Sequence, residues 1–474
     1  MARGEGAPQA KQPERGEGPP RLIIMNAPDI KIPPPGPRAR LIVERDRQTV
    51  SPSYPRCAPL VMARGEGAVV EDVDGNVYLD CCAGIATAST GHSHPDVVRA
   101  ITDQAGRFLH SSTDYYHETQ VALGEALSEI VPIEGRARTF FSNSGTEAVE
   151  AAIKLARYHT KRPNIIAFLG SFHGRTLGSL SLTSSKSVQR RGFGPMTPGV
   201  FHAPYANPYR WAVGGGAGSE ASGASETDDR CAAQCLAYID QQILVHLTSP
   251  DEVAAIIIEP IQGEGGYVVP PPSFIQGVSR IAKQHGMLLI VDEVQSGMGR
   301  TGKMFAIEHF GVKPDIVVIA KAIASGLPMG LTVASESVMD WPVGAHSNTF
   351  GGNPVACAAA LTTIKLIRGG LMANAEEVGG FLMRKLKELA ARHQIIGDVR
   401  GKGLMIGIEL VRDRKTKERA TSERDALVMA AFRRGLLILA AGQNTVRLSP
   451  PLVLSKEQAD TAVRLLDEAL DDIS

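Results

Sequence analysis

Short unbroken apolar runs alternate with longer amphipathic segments over the middle of the chain: ARTFFSNSG then TEAVEAAIKLARYHT, NIIAFLG, VAAIIIEPI, PSFIQGVSRIAKQHG, MLLIVDE and PDIVVIA. A run such as Val317-Val318-Ile319 lacks polar alternation, the pattern of a strand covered on both faces. The segments between the runs carry apolar residues at helical spacing. Strands alternating with helices predict an α/β chain, with a mainly parallel sheet flanked by helices. From Asn374 the order becomes helix (AEEVGGFLMRKLKELAARHQ), strand (GLMIGIEL), helix (ERDALVMAAFRRG) and strand (TVRLSPPLV), as expected of a small α+β domain.

The domain organisation expected from this pattern is a flexible N-terminal tail over 1–38, a segment 39–92 that contributes to the small domain, a large domain over 93–370, and a C-terminal small domain over 371–474. The tail is rich in Gly, Pro, Glu and Arg and ends in KIPPPGPRAR, a composition that buries too little apolar surface to fold alone. The Gly/Ser-rich stretch 212–229 is expected to form an exposed, mobile loop. ARGEGA occurs at 2–7 and again at 63–68, but without a sustained period it marks no repeat architecture.

Composition narrows the function classes. A chain of 474 residues exceeds one hydrophobic core. Lys plus Arg and Asp plus Glu are 50 each, a net charge of 0 that offers no global field for nucleic acid or an anionic membrane, so small-molecule chemistry is expected. The six cysteines form no CxxC pair and no disulfide framework, which fits a reducing cytoplasm. No apolar stretch is read as approaching the roughly 20 residues of a membrane span, and MARGEGAPQA lacks a signal-peptide core. His92-Ser93-His94 has no matching third ligand cluster, so no metal is expected.

In open α/β sheets ligands bind at the carboxyl ends of the strands. After TFF stand Ser142-Asn143-Ser144-Gly145-Thr146 at the start of a helix, where hydroxyls, N–H groups and the positive dipole end would cradle a phosphate; the plainer reading is a helix N-cap. After MLLIV stand Asp292-Glu293-Val294-Gln295, and after DIVVIA stands Lys321, an ammonium directly behind a buried strand. Taking a bare ammonium there is costly unless it is solvated or serves as a reactive amine. A phosphate cradle, a strand-end carboxylate and a lysine together are what pyridoxal 5'-phosphate demands. The lysine forms the Schiff base, the carboxylate keeps the ring nitrogen protonated, and the helix end holds the phosphate.

From about residue 40 to the C-terminus the motifs LDCCAGIATASTGHSHP, SNSGTEAVEAAIKLAR, SFHGRT, EPIQGEGG, VDEVQSGMGRTGK, IAKAIASG, NTFGGNP, RGKGLMIGIEL and VRLSPPL follow in order. In this the chain resembles the class III pyridoxal-phosphate-dependent aminotransferases of fold type I, which include 4-aminobutyrate, ornithine and acetylornithine aminotransferases. The resemblance implies Lys321 as the Schiff-base lysine and Asp292 as the partner of the ring nitrogen. It implies Gln295 near the phenolic oxygen, Ser144, Gly145 and Thr146 at the phosphate, Phe172 stacked on the ring, and His173 beside the cofactor. Thr349 would reach the phosphate of the neighbouring subunit, which makes a homodimer with shared active sites the expected assembly and leaves higher oligomers open.

For substrate, the resemblance implies Arg447 as the carboxylate clamp, Glu264 as its alternate partner, Arg175 as a second carboxylate contact, and Asn348 and Ile85 in the substrate pocket. Two half-reactions with different substrates require a dicarboxylate to be bound in one and charge to be released in the other, which an Arg–Glu pair achieves by opening and closing. Ile85 resembles the aliphatic residue of 4-aminobutyrate and acetylornithine enzymes, where ornithine enzymes tend to carry an aromatic. The expectation is therefore ping-pong transfer from an ω-amino acid, 4-aminobutyrate first, then ornithine or acetylornithine, to 2-oxoglutarate. The alternatives are an amino-acid racemase or epimerase on the same fold, and a catalytically silent pyridoxal-phosphate-binding protein, against which the intact Lys321, Asp292 and Thr349 stand.

Overall fold

The computed structural model describes residues 27–211 and 224–473. Its central sheet has seven strands in the spatial order Ala137–Ser142, Gly330–Ser335, Ile316–Ile319, Leu288–Asp292, Val253–Ile258, Asn164–Phe168 and Val200–Ala203. All neighbours from Ile316–Ile319 to Val200–Ala203 pair in parallel. Gly330–Ser335 alone runs antiparallel to both of its neighbours, which makes the sheet mixed.

The apolar runs are buried because both faces are covered. Ile256, Ile258, Leu289, Val291, Val317 and Ile319 enter one core cluster, while Ala255, Ile257, Leu288, Ile290, Ile316 and Val318 enter a second on the opposite face, the period of two that a pleated strand imposes. Helix Gly145–Thr160 packs on the second face through Ala148, Val149, Ala152, Ile153 and Ala156. Parallel strands end on one side, so Glu259, Asp292 and Lys321, each just at or beyond a strand end, converge along one edge.

The C-terminal part forms an antiparallel sheet in the order Ile396–Lys402, Met405–Asp413, Thr445–Leu448, Leu439–Ala441. A separate sheet joins Met62–Glu66, Val69–Asp72 and Val77–Asp80, and Leu436–Leu437 pairs in parallel with the last of these. Strand Val77–Asp80 is thereby tied to a segment about 360 residues later.

Three expectations are corrected. The free tail does not run to residue 38: residues 1–26 lie outside the described residues, but Asp29 bridges Val77, and Asn76 Oδ1 accepts the N–H groups of Lys31 and Ile32 at 2.9 Å each. Asp74 then caps helix Pro37–Thr49 by accepting from Arg38 and Ala39 at 2.9 Å. The side-chain anchors lie 35–45 residues along the chain, where local composition has no view of them. Of the loop expected over 212–229, residues 212–223 lie outside the described residues, while 224–229 begin helix Ala224–Tyr238, with Glu226 in the first turn where the helix dipole favours it. Finally, one helical run, Pro354–Arg392, is long and apolar enough over part of its 39 residues to match a membrane span. Its Ala356, Cys357, Ala360, Ile364, Ile367, Val378 and Leu382 lie in the protein core, and Gly370 (φ 144°) breaks the run.

Glu293, beside Asp292, is buried. Burial pushes its carboxyl up to about 7, against hydrogen bonds from Ser296 Oγ (2.5 Å) and the Ile307 N–H (2.8 Å) that favour the carboxylate. A folded value above the unfolded one means that the stability Glu293 contributes is fully present below the unfolded pKa and is lost as pH rises towards 7. Glu293→Gln is expected to flatten the decline of Tm across about pH 4.5 to 7. Thermal melts of the two proteins over that window check this, and equal slopes would contradict it.

Candidate active site

A cavity of about 390 Å³ opens at the converging strand ends. Nine residues singled out in the sequence line it: Ser144, Gly145, Thr146, Phe172, His173, Arg175, Asp292, Gln295 and Lys321.

Lys321 follows strand Ile316–Ile319 in a left-handed conformation (φ 46°), a costly geometry for a residue with a side chain. Burial drives its ammonium below the ordinary lysine range, opposed by the charges of Asp292 and Glu264 and reinforced by Arg447. The amine is thus nearer its free, nucleophilic form than an exposed lysine would be.

Asp292 Oδ2 accepts from His173 Nδ1 at 2.8 Å, and its Oδ1 accepts the Val294 N–H at 3.0 Å. Burial disfavours the His173 imidazolium, but the hydrogen bond and charge of Asp292, with Glu259, outweigh it and leave His173 above its ordinary range. His173 Nε2 is buried without a partner among the described residues.

Glu259 was missed. Its Oε1 accepts the Phe172 N–H and its Oε2 the Gly263 N–H, both at 2.7 Å, so one carboxylate ties the loop of the stacking residue to the loop that carries Glu264. Burial pushes it up to about 7, with His173 pulling the other way. An acidic residue closing an unbroken apolar run (VAAIIIE) is the same signal that marked Asp292, and it could have found Glu259. Thr87 and Met329 also line the cavity and carried no such signal.

Ser144 caps helix Gly145–Thr160, its Oγ accepting the Glu147 N–H at 3.3 Å. The N-cap reading therefore holds beside the phosphate reading, since the first N–H groups of the helix need external acceptors in either case. A Cβ on Gly145 would stand 3.1 Å from Val294 Cγ1 and 3.4 Å from Ala320 Cβ, filling the cradle. Thr146 Oγ1 accepts the N–H groups of Arg175 (3.2 Å) and Thr176 (3.3 Å), which fixes that turn against the helix end. Arg175 is exposed at the mouth, its guanidinium 5.4 Å from the centroid of the Phe172 ring.

Arg447, from strand Thr445–Leu448, and Glu264, from the loop after Val253–Ile258, meet through Nη1 and Oε1 at 2.5 Å. Arg447 Nη1 also reaches Gln295 Oε1 (3.4 Å), which accepts from Tyr267 OH at 2.9 Å and places the pair against the cavity wall. Burial opposes both charges, but each is held by the other: Glu264 lies below its ordinary range, helped by Lys186, and Arg447 above its own.

Glu264 and Arg447 thus stand behind the lining residue Gln295 rather than in the lining itself, and three further expected residues also do not line this cavity. Asn348 turns inward, donating from Nδ2 to the Phe141 carbonyl at 2.8 Å, and Thr349 is exposed beside it. Ile85 sits in a left-handed kink (φ 64°) with its side chain exposed, so its segment faces the cavity through Thr87. His92 Nε2 lies 2.7 Å from Asp80 Oδ2, and His94 Nδ1 accepts the Asp96 N–H at the start of helix Pro95–Arg107. The buried thiols Cys231 and Cys235 share one helix face.

An anion-binding helix end shaped around a glycine, an amine of lowered pKa, a carboxylate tied to a buried histidine and an aromatic ring within one cavity fit pyridoxal phosphate.

A family model described as aminotransferase class-III matches residues 50–470. The chain is 42% identical over 458 residues to an alanine/serine racemase of Pyrococcus horikoshii, covering 95% of this chain and 94% of that one. It is 41% identical over 434 residues to an acetylornithine aminotransferase of Methanothermobacter thermautotrophicus (91% and 99% covered) and 40% identical over 448 residues to a 4-aminobutyrate aminotransferase of Mycobacterium bovis (92% and 95%). Among solved structures, a pyridoxal-phosphate-bound amine transaminase from an uncultivated Pseudomonas species superposes with a TM-score of 0.80 at 30% identity, over 90% of this chain and 98% of that one.

Proposed function

Because the chain belongs to the class-III aminotransferase family, whose members use pyridoxal phosphate, we propose that it transfers the amino group of an ω-amino acid, 4-aminobutyrate first and ornithine or acetylornithine next, to 2-oxoglutarate. The observation that carries this reading is the Arg447–Glu264 pair, a carboxylate receptor that is neutralised at rest.

Pyridoxal phosphate, when bound, supplies a carbon that carries the amino group and a ring that takes up electrons as the donor carbon loses its proton. Ser144, Gly145 and Thr146 would hold its phosphate, Phe172 its ring face, Gln295 the phenolic oxygen, Asp292 the ring nitrogen and Lys321 the reacting carbon. Lys321 Nζ takes the proton from the donor carbon as general base and later returns one as general acid, roles suited to an amine whose pKa burial has lowered. Asp292, oriented by His173, supplies the negative charge that keeps a proton on the ring nitrogen. Arg447 binds the α-carboxylate of glutamate or 2-oxoglutarate. Glu264 covers the guanidinium when the reacting end of the donor has no carboxylate.

Glu264→Ala leaves Arg447 permanently open. The kcat/KM ratio of 4-aminobutyrate over glutamate is expected to fall about tenfold or more, the worth of one charge-assisted contact of roughly 1.5–3 kcal/mol. Measuring both half-reactions in wild type and variant tests this; an unchanged ratio would remove the gate, and with it the argument for an ω-amino donor.

A second reading, an amino-acid racemase or epimerase, is favoured by the likeness to the Pyrococcus racemase. One L-amino acid supplied without a keto acid separates the two: racemisation supports the second reading, turnover only with 2-oxoglutarate the first.

We further propose that a second copy completes each site through Thr349. In support, Thr349 is exposed outside its own cavity. Tyr115, Tyr116 and Phe350 expose apolar surface on adjoining loops that Thr113 Oγ1 joins to the Asn348 carbonyl at 3.3 Å.

A further inference from the structure

We infer that Lys186 is the partner to which Glu264 turns when Arg447 binds a substrate carboxylate, so that Lys186 sets the preference for dicarboxylates; this rests on the transaminase reading above. Glu264 stands between two cations. Its Oε1 meets Arg447 Nη1 at 2.5 Å, while its Oε2 faces Lys186 Nζ at 3.7 Å.

Both members of the resting pair are largely removed from water, with 5% of the Arg447 side chain and 17% of the Glu264 side chain exposed. If a substrate carboxylate takes the guanidinium, Glu264 loses its counter-charge inside a site that hydrates it poorly, an expensive state unless a second cation is at hand. Besides Arg447, the cations that act on Glu264 are Lys186 and Lys321, and Lys321 is committed to the reacting centre. Lys186 is therefore the cation free to receive it.

The movement required is small. The Gly442 N–H donates to the Glu264 carbonyl at 2.7 Å, which holds the backbone of the loop across to the C-terminal domain. Opening is then a side-chain rotation that exchanges one cation for the other. Lys186 follows helix Leu177–Leu182 on a flexible stem, with 35% of its side chain exposed, and can close the remaining gap. An open state stabilised by Lys186 raises the fraction of protein able to bind a dicarboxylate, and apparent affinity scales with that fraction. No motif drew attention to Lys186, because SLTSSKS carries no pattern that points to a loop brought near it by the fold.

The test uses the cofactor-loaded enzyme with Lys186→Met, Lys186→Arg and Glu264→Ala, alone and combined. Lys186→Met is expected to raise KM for glutamate and 2-oxoglutarate about fivefold to tenfold relative to KM for 4-aminobutyrate, with kcat little changed and Lys186→Arg restoring the wild-type ratio. Calorimetric binding of glutarate, an unreactive dicarboxylate, should weaken by the same factor. In the Glu264→Ala background Lys186→Met should have no further effect on either quantity, since no carboxylate is left to receive. Equal glutarate affinity in wild type and Lys186→Met, or a loss that persists without Glu264, overturns the inference. If wild type moves no amino group from 4-aminobutyrate, ornithine or acetylornithine to 2-oxoglutarate, the transaminase reading fails on its own, and the glutarate measurements still decide whether Lys186 and Glu264 are coupled.

Discussion

Lys321→Ala is expected to lower transamination by at least about 10⁴-fold and to leave the cofactor without a covalent anchor. One residue is asked to fill two roles. As nucleophile it would hold the cofactor at its reacting carbon, and as general base it would move the proton of the donor, a contribution of about 10²–10⁴ by itself. Among the described residues Lys321 is the lysine that lines the cavity; Lys186, the nearest rival in function, faces Glu264 with its amine partly in water. Burial lowers the Lys321 pKa, so the limb of the pH–rate profile that rises as the base loses its proton should lie below the ordinary lysine range. Borohydride reduction of the wild-type holoenzyme, followed by peptide mapping, should fix the cofactor on the peptide that carries Lys321. Label on a different lysine, or substantial turnover by the alanine variant, would overturn the assignment.

Asp292→Asn is expected to cut turnover by roughly 10²–10⁴-fold, the range that follows from removing one member of a buried charge pair worth about 3–5 kcal/mol. The shape of the side chain is kept. The amide oxygen can still accept the Val294 N–H, and the amide NH2 in the other position can donate to Nδ1 of a neutral His173, so the fold should persist. What disappears is the negative charge. Without it the ring nitrogen is no longer held protonated and electron uptake fails. Loss of that charge also leaves burial and Glu259 as the influences on His173, so the imidazole should titrate lower than in wild type. Steady-state kinetics, a thermal melt and NMR titration of His173 check the three expectations, and near-normal turnover would remove Asp292 from its role.

The order of residues placed a side chain well where it stands next to a local pattern. Asp292 and Lys321 follow unbroken apolar runs, and burial of such a run on both faces dictates that whatever comes next emerges at a sheet edge. Ser144 and Gly145 precede a strongly helical segment, so their position at a helix N-terminus was equally plain. Glu259 shows the same rule left unused. Ile85 shows its limit: the motif GIATAS drew attention to a position whose backbone enters the left-handed region and turns the side chain outward.

By itself, then, the amino-acid order determined the strands, the main helices, the α/β class and the strand-end identity of Asp292 and Lys321, because those follow from propensity and periodicity within a dozen residues. The tertiary structure alone decided which distant groups meet. Arg447 and Glu264 stand 183 residues apart, Asp292 and His173 119, and residues 31 and 76 are joined across 45. Such contacts depend on how sheets and loops pack, and both the desolvation that shifts Lys321 and Glu259 and the Arg447 charge that holds Glu264 low against desolvation exist only once that packing is complete.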